Sequence, residues 1–454
     1  MQVAQVLAQL QCVLRAALVL LNNLYCIPTY LVWMWTIFLP FRDTRLYIWL
    51  EKLLYRHLLL MVAYWSFSAG YTIHEVGDEI EDLYDKRTLL VANHQSTADV
   101  PLIMACLQVK RYVCNNVMWV MDAMFKFTNF GVVSVTHGDF FITQGKNTRK
   151  NQLDTLRQHL LDVYLPRHLS WLVVFPEGGF LNKRLESSQR YAAANGYPKL
   201  ENVTLPRVGA TKLALETLTN PTILKGQPPM EYLLDLTIGY PGAPARPLDI
   251  LAIATGYRKP HVVQFHYRKY AVKDVPFHDN EAFTAWMYER WVEKEQLLKH
   301  FYEHGSFPSA HAEDECGTAT PTCLDGSPVN SRLLADNVEQ PMINPIPNAR
   351  QQQWEDGSGL LGAAQHHPHE DQRHRHRSRE RVLQEAQQQQ QQQQQLQGQR
   401  EEPQQQQLPP LTRAEGPRPV ELNHFYVLYV HVCWVLSSMF HLYLYRSLKS
   451  ALFG

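Results

Sequence analysis

The chain has 454 residues, room for one large domain or two ordinary ones with a buried core, and its 43 Lys and Arg balance 43 Asp and Glu. That balance removes the electrostatic case for a nucleic-acid partner, and none is expected. Seven cysteines are scattered without a Cys-x-x-Cys pair, which suits a reducing compartment and argues against structural zinc, so no metal site is expected.

Mean hydropathy is −0.29, but this averages a very polar insert with strongly apolar ends. From Val3 to Pro40 the sequence is mostly apolar, and Pro28 is expected to divide it into two helices, each near the length needed to cross a bilayer. No basic residue precedes the apolar run and Arg15 interrupts it, which argues against a cleaved signal peptide. Arg42, Arg45, Lys52 and Arg56 follow, placing that end in the cytosol by the positive-inside tendency. Leu58 to Phe67 reads as an interfacial or packed core helix. Residues 1–70 therefore form a membrane-associated segment.

From residue 71 to 307 short apolar strands alternate with amphipathic segments, an α/β pattern. Strands are expected at Tyr71–Glu75, Thr88–Ala92, Val132–Val135, Trp171–Phe175, Leu233–Thr237 and Val262–Tyr267. Helices are expected at Val100–Leu107, Lys150–Tyr164, Glu186–Asn195, Gly209–Thr217 and Glu281–Tyr302. Residues 308–419 run through Pro-, His/Arg- and Gln-rich sequence with little to bury, a composition expected to stay disordered. Residues 420–454 contain Phe425 to Tyr445, about one transmembrane helix long, although His431 and His441 lie inside it.

Four islands within the α/β region carry chemistry. The strand Thr88–Ala92 stops at Asn93-His94, putting an imidazole at a strand end, where α/β folds place reactive groups. Asp99 follows five residues later, on a loop short enough to return its carboxylate to the ring, and a histidine held by an acid is a general base. No Gly-x-Ser-x-Gly elbow or reactive-cysteine signature accompanies it, so the hydroxyl to be deprotonated belongs to a substrate. Gly138-Asp-Phe-Phe-Ile142 marks a close backbone approach. Phe175-Pro-Glu-Gly-Gly179 places Glu177 at a second strand end with two glycine N–H groups beside it. Leu205-Pro-Arg-Val-Gly-Ala210 opens a helix, with Arg207 and Lys212 near its positive end, a natural place for an anion.

Taken singly, each island is an ordinary turn; their order and spacing are specific. NHQSTAD, GDFFI, FPEGG and LPRVGA, in that order, resemble the motif blocks of the glycerolipid acyltransferase family, of the 1-acylglycerol-3-phosphate acyltransferase type, over roughly residues 71–305. The runs Met118–Asp122, Phe127–Gly131, His137–Phe141 and Gly256–Pro260 look closest to the branch that acylates lysophosphatidylglycerol. The resemblance implies a mixed sheet flanked by helices, with His94 as general base and Asp99 as its orienter. A lysophospholipid hydroxyl would lose its proton to His94 and attack the thioester of acyl-CoA, a co-substrate, with no resident cofactor. Asn93 would fix the loop. Glu177 and Gly178 would line the acceptor site, the glycines Gly178 and Gly179 would offer oxyanion donors, and Gly138, Phe141 and Arg207 would complete the substrate contacts.

One departure bears on the acceptor. The family's second block usually ends in an arginine that meets a phosphate, and here that position is Gln144. A neutral amide cannot form a charge-assisted fork, so a phosphodiester with a head group, as in lysophosphatidylglycerol or lysophosphatidylethanolamine, fits better than lysophosphatidate, unless Lys146, Arg149 or Lys150 restores the charge. The resemblance also implies the endoplasmic reticulum membrane. A CoA-independent transacylase and a catalytically silent membrane scaffold remain as alternatives.

Overall fold

The computed structural model describes residues 2–42, 44–143, 149–242, 247–308 and 416–453. The elements are α1 Gln2–Val32, α2 Arg45–Ser68, β1 Thr72–Gly77, β2 Thr88–Ala92, α3 Asp99–Gln108, β3 Val117–Asp122, α4 Asn129–His137, β4 Phe140–Ile142, α5 Arg149–His159, β5 Trp171–Val174, α6 Leu181–Ala194, α7 Gly209–Thr219, α8 Pro221–Leu224, β6 Tyr232–Gly239, α9 Ile250–Thr255, β7 Val262–Ala271, α10 Asn280–His304, β8 Arg418–Pro419 and α11 His424–Phe453.

One eight-stranded sheet runs in the order β4-β3-β5-β2-β6-β7-β1-β8. The strands β4, β3, β5, β2 and β6 are parallel neighbours, β7 is antiparallel to β6, and β1 is parallel to β7. Every residue of β2 and β5 is buried. Alternation then sends Leu90 and Ala92 of β2, with Trp171 and Val173 of β5, into one core that includes α2 and α3. Leu89, Val91, Leu172 and Val174 enter a second core with α5, α7 and α10. Burial on both faces is why these strands read as continuous apolar runs rather than as alternating ones.

Sequence and structure part in several places. The run Val132–Val135, expected as a strand for its β-branched residues, lies in α4. Thr128 caps that helix by accepting from Gly131 N–H at 3.0 Å, and Gly138 ends it at φ +98°. These caps and the packing of Val133 and His137 outweigh the strand preference of valine. The strands of this region are instead β3 and β4. Pro28 does not divide the N-terminal segment: α1 continues through it into a π-helical turn, Trp33–Ile37. Burial of Cys26, Ile27, Tyr30 and Met34 holds the helix together across the missing N–H.

Leu58–Phe67 belongs to α2 as a packed core helix, with Leu58 to Ala63 all buried. Its partner α1 is fastened along its length, with Arg15 donating to Trp65 O at 3.1 Å and Tyr30 OH to Glu51 at 2.8 Å. Arg418 and Pro419, expected at the end of a linker, pair with Glu75 and His74 as an edge strand. The His- and Gln-rich sequence expected to be disordered falls in 309–415, outside the described residues.

Two helices are long and apolar enough to cross a membrane, Gln5–Ile37 and His424–Leu452. The histidines of the second face the first: His431 meets Tyr25 OH at 2.7 Å, and His441 packs on Trp33 with ring centroids 5.0 Å apart.

Candidate active site

The strands β3, β5 and β2 are parallel neighbours, so their C-terminal ends share one sheet edge, and the loops that carry the motif islands meet there. At the end of β2, Asn93 is buried, and its side chain accepts from Ile238 N–H at 2.8 Å and donates to Ile238 O at 3.2 Å. The side chain thus continues the ladder to β6 while the main chain leaves the sheet, which projects His94 beyond the edge.

The imidazole of His94 is held on three sides. Its Nδ1 lies 2.9 Å from Asp99 Oδ2, and its ring packs on Phe175 at 4.1 Å and Phe180 at 4.5 Å between centroids. Asp99 is fully buried at the start of α3. Its Oδ2 also accepts from Gln95 N–H at 2.7 Å and Ser96 N–H at 2.9 Å, and its Oδ1 accepts from Tyr240 OH at 2.5 Å. Burial, reinforced by the neighbouring carboxylate, pushes the Tyr240 hydroxyl well above its ordinary value, so it stays a donor. A carboxylate so fixed holds a proton on Nδ1 and leaves the Nε2 lone pair outward. Among the described residues no hydrogen-bond partner is found for Nε2. Such an arrangement leaves Nε2 able to accept a proton from outside the fold.

Glu177 braces the site. Its carboxyl is buried, accepting from His94 N–H at 3.1 Å through Oε1, and from Thr204 N–H at 3.2 Å and Thr204 OH at 2.9 Å through Oε2. Burial pushes it up to about 8, opposed by these donors. One side chain thereby ties the histidine loop, the Pro-Glu-Gly-Gly turn and the segment before α7 together, facing inward rather than along an acceptor wall.

Gly178 sits at φ +68°, and a Cβ there would meet Arg207 Nη1 at 3.1 Å, so glycine serves both the turn and the close approach of the guanidinium. Its N–H is engaged with Phe175 O at 3.0 Å, which leaves Gly179 as the remaining glycine N–H at this turn. Arg184 reaches back to Gly178 O at 2.9 Å, so both arginine side chains lie over the turn, with Arg207 N–H on Pro176 O at 2.7 Å. Lys212 is ion-paired with Glu216 on its own helix.

Other expected site residues lie elsewhere. Gly138 precedes β4 and therefore sits toward the opposite sheet edge from His94, where it ends α4; Phe141 lies on β4 opposite Met121, three strands from β2, roughly 14 Å at usual strand spacing. In this block it is the buried Asp139 that links elements, accepting from Trp119 N–H at 2.9 Å, with burial pushing its carboxyl up to about 6. Gln144 and Lys146 lie outside the described residues. Among the described residues no cluster of three or more His, Cys, Asp or Glu side chains could hold a metal.

Comparison with known proteins gives the family. A family model described as acyltransferase matches residues 75–224, and one described as acyltransferase C-terminus matches residues 256–324. Acyl-CoA:lysophosphatidylglycerol acyltransferase 1 of Homo sapiens is 44% identical over 317 residues, covering 66% of this chain and 84% of that protein. The chain belongs to the acyltransferase family. A putative 1-acyl-sn-glycerol-3-phosphate acyltransferase of Caenorhabditis elegans, acl-12, is 32% identical over 279 residues, 59% of this chain and 70% of its own. The crystal structure of the acyltransferase PlsC from Thermotoga maritima aligns with 63% of this chain and 99% of its own at 15% identity and a TM-score of 0.33.

In this acyltransferase the residues that sequence reading missed are those that hold the dyad from afar. Tyr240 and Thr204 reach Asp99 and Glu177 across long chain separations, and no local pattern signals either. For Phe180, an aromatic directly after the glycines of a strand-end turn is the available signal.

Proposed function

We propose that this membrane acyltransferase moves an acyl group from acyl-CoA to the free hydroxyl of a lysophospholipid bearing a head group, lysophosphatidylglycerol or lysophosphatidylethanolamine, in phospholipid synthesis and remodelling. The observation that carries the reading is the His94–Asp99 pair at 2.9 Å with Nε2 turned outward at an open sheet edge. In this mechanism Nε2 accepts the proton of the lysolipid hydroxyl as its oxygen attacks the thioester carbonyl. Asp99 orients the ring and balances the imidazolium, and collapse of the tetrahedral species expels the CoA thiolate, which takes the proton back from His94. Such general-base help is worth about 10²- to 10⁴-fold. Gly179 N–H is the candidate oxyanion donor, Arg207 the candidate anion contact, and Asn93 and Glu177 position the histidine loop.

Acyl-CoA is a co-substrate, and no resident cofactor takes part. The acceptor preference rests on Gln144 in place of an arginine and on the similarity to a lysophosphatidylglycerol acyltransferase. The proposed location is the endoplasmic reticulum, where acyl-CoA and lysolipids meet. An acceptor panel tests the reading: membranes containing the full chain, one labelled acyl-CoA, and lysophosphatidylglycerol, lysophosphatidylethanolamine and lysophosphatidate in parallel. The head-grouped lysolipids are expected to be acylated faster; preference for lysophosphatidate overturns the acceptor assignment, and acylation without acyl-CoA overturns the donor.

A further inference from the structure

We propose that the turn Ala123–Phe127 is a bilayer-dipping loop that seats Met124, Phe125 and Phe127 in the lipid beside His94. It follows β3, and β3, β5 and β2 end at the same sheet edge, so the turn stands two strands from the histidine loop, about 10 Å at usual strand spacing. Phe127 is 89% exposed, Met124 72% and Phe125 39%, with Lys126 between them. Single exposed apolar residues are ordinary, but three in one five-residue turn with a cation among them is the composition of a membrane-interface anchor.

The turn is built rather than loose. Asp122 accepts from Met124 N–H at 2.9 Å, and Thr128 N–H donates to Phe125 O at 3.0 Å. A Cβ on Gly131 would stand 2.2 Å from Phe125 O and 2.5 Å from Lys126 O, so α4 packs directly on the turn's backbone. The apolar side chains are thus presented in a fixed arrangement and lose little freedom when lipid covers them.

Continuity with the first apolar helix identifies the occupant as the bilayer. At the other end of α4, about 13 Å along its axis, Trp35 Nε1 donates to Thr136 Oγ1 at 3.0 Å, and Trp35 lies in the membrane-length helix Gln5–Ile37. On the opposite flank of the site Leu251 is 60% and Ile250 43% exposed on α9. Ile250 N–H donates to Thr97 Oγ1 at 3.0 Å, next to the histidine loop, and Arg15 of α1 reaches Ile253 O at 3.5 Å. Apolar surface therefore borders the histidine loop on two sides. The inference deepens the lysophospholipid reading, but its first test is independent of chemistry.

The test places benzoylphenylalanine at Phe127 in the full chain, reconstituted in vesicles of phosphatidylcholine and phosphatidylglycerol, and analyses photoadducts by mass spectrometry, in otherwise wild-type protein and in His94→Ala. Phospholipid adducts are expected in both. Absence of lipid adducts, adducts to protein alone, or adducts that form only when acyl-CoA is added overturn the proposal. Kinetically, Phe127→Glu is expected to raise KM for vesicle-borne long-chain lysolipid about tenfold. An equal loss on a monomeric short-chain lysolipid points to a folding defect and overturns the interfacial role.

Discussion

Two histidine–carboxylate pairs with the same 2.9 Å separation at Nδ1 stand in different parts of this molecule, His94 with Asp99 and His137 with Glu51. The side chain of His94 is 11% exposed and its Nε2 points outward, whereas that of His137 is 0% exposed with Nε2 on Val117 O at 2.9 Å. The His137 ring stacks on Tyr55 at 3.5 Å, and Glu51 also takes Tyr30 OH and lies 3.8 Å from Arg167. Burial alone would lower the His137 imidazole, but Glu51 outweighs it and the ring stays above its ordinary value. The first pair has one nitrogen left for a substrate; the second has none, and joins α1, α2, α4 and β3 as structure. An acid beside a histidine does not make a base unless the far nitrogen is open.

His94→Ala is expected to lower kcat by about 10²- to 10⁴-fold while the chain still folds in detergent, Asp99 keeping its donors from Gln95, Ser96 and Tyr240. Wild-type turnover in the purified variant would remove the distinction between the pairs. His137→Ala should do the reverse, leaving Glu51 without its imidazole in a buried site at a cost of about 3–5 kcal/mol, read as a large fall in melting temperature. Whatever folds should keep wild-type KM.

Smaller effects sharpen the contrast. Tyr240→Phe removes one donor to the buried Asp99, a loss of about 1.5–3 kcal/mol. It should appear as a lower kcat and a lower melting temperature together, and a change in KM alone would contradict the positioning role. A pH dependence is expected at Glu177. Its raised carboxyl binds a proton more tightly in the folded chain, so its stabilising contribution is complete below the unfolded value of 4.5 and is lost as pH climbs to about 8. Melting temperatures between pH 5 and 8 should fall in the wild type and fall less in Glu177→Gln; parallel slopes would count against it.

The sequence made the dyad legible because Asn93-His94 and Asp99 lie within one strand-loop-helix unit, where chain length alone limits the distance. β2 and β5 were legible as apolar runs, since burial on both faces leaves little alternation to misread. Val132–Val135 misled because β-branched composition was weighed above the caps at Thr128 and Gly138. Pro28 misled because a helix packed along its length keeps its course through a proline. Gly138 ends α4 just before β4, a backbone role that its motif alone does not signal. Tyr240 and Thr204 were invisible because their partners are set by the tertiary fold.

The short edge strand Arg418–Pro419 has an engineering consequence. Pro419 pairs with His74, whose other neighbour is Gln264, and Gln264 in turn accepts from Phe307 N–H at 3.2 Å. Exit from the catalytic sheet and re-entry to it are thus anchored two strands apart, on β7 and β8, a gap of about 10 Å. Bridging so small a gap takes only a few residues, and loop-closure entropy grows slowly with length. Residues 325–415, past the stretch that the acyltransferase C-terminus model matches, are accordingly the segment to exchange for a glycine-serine tether long enough to span that gap.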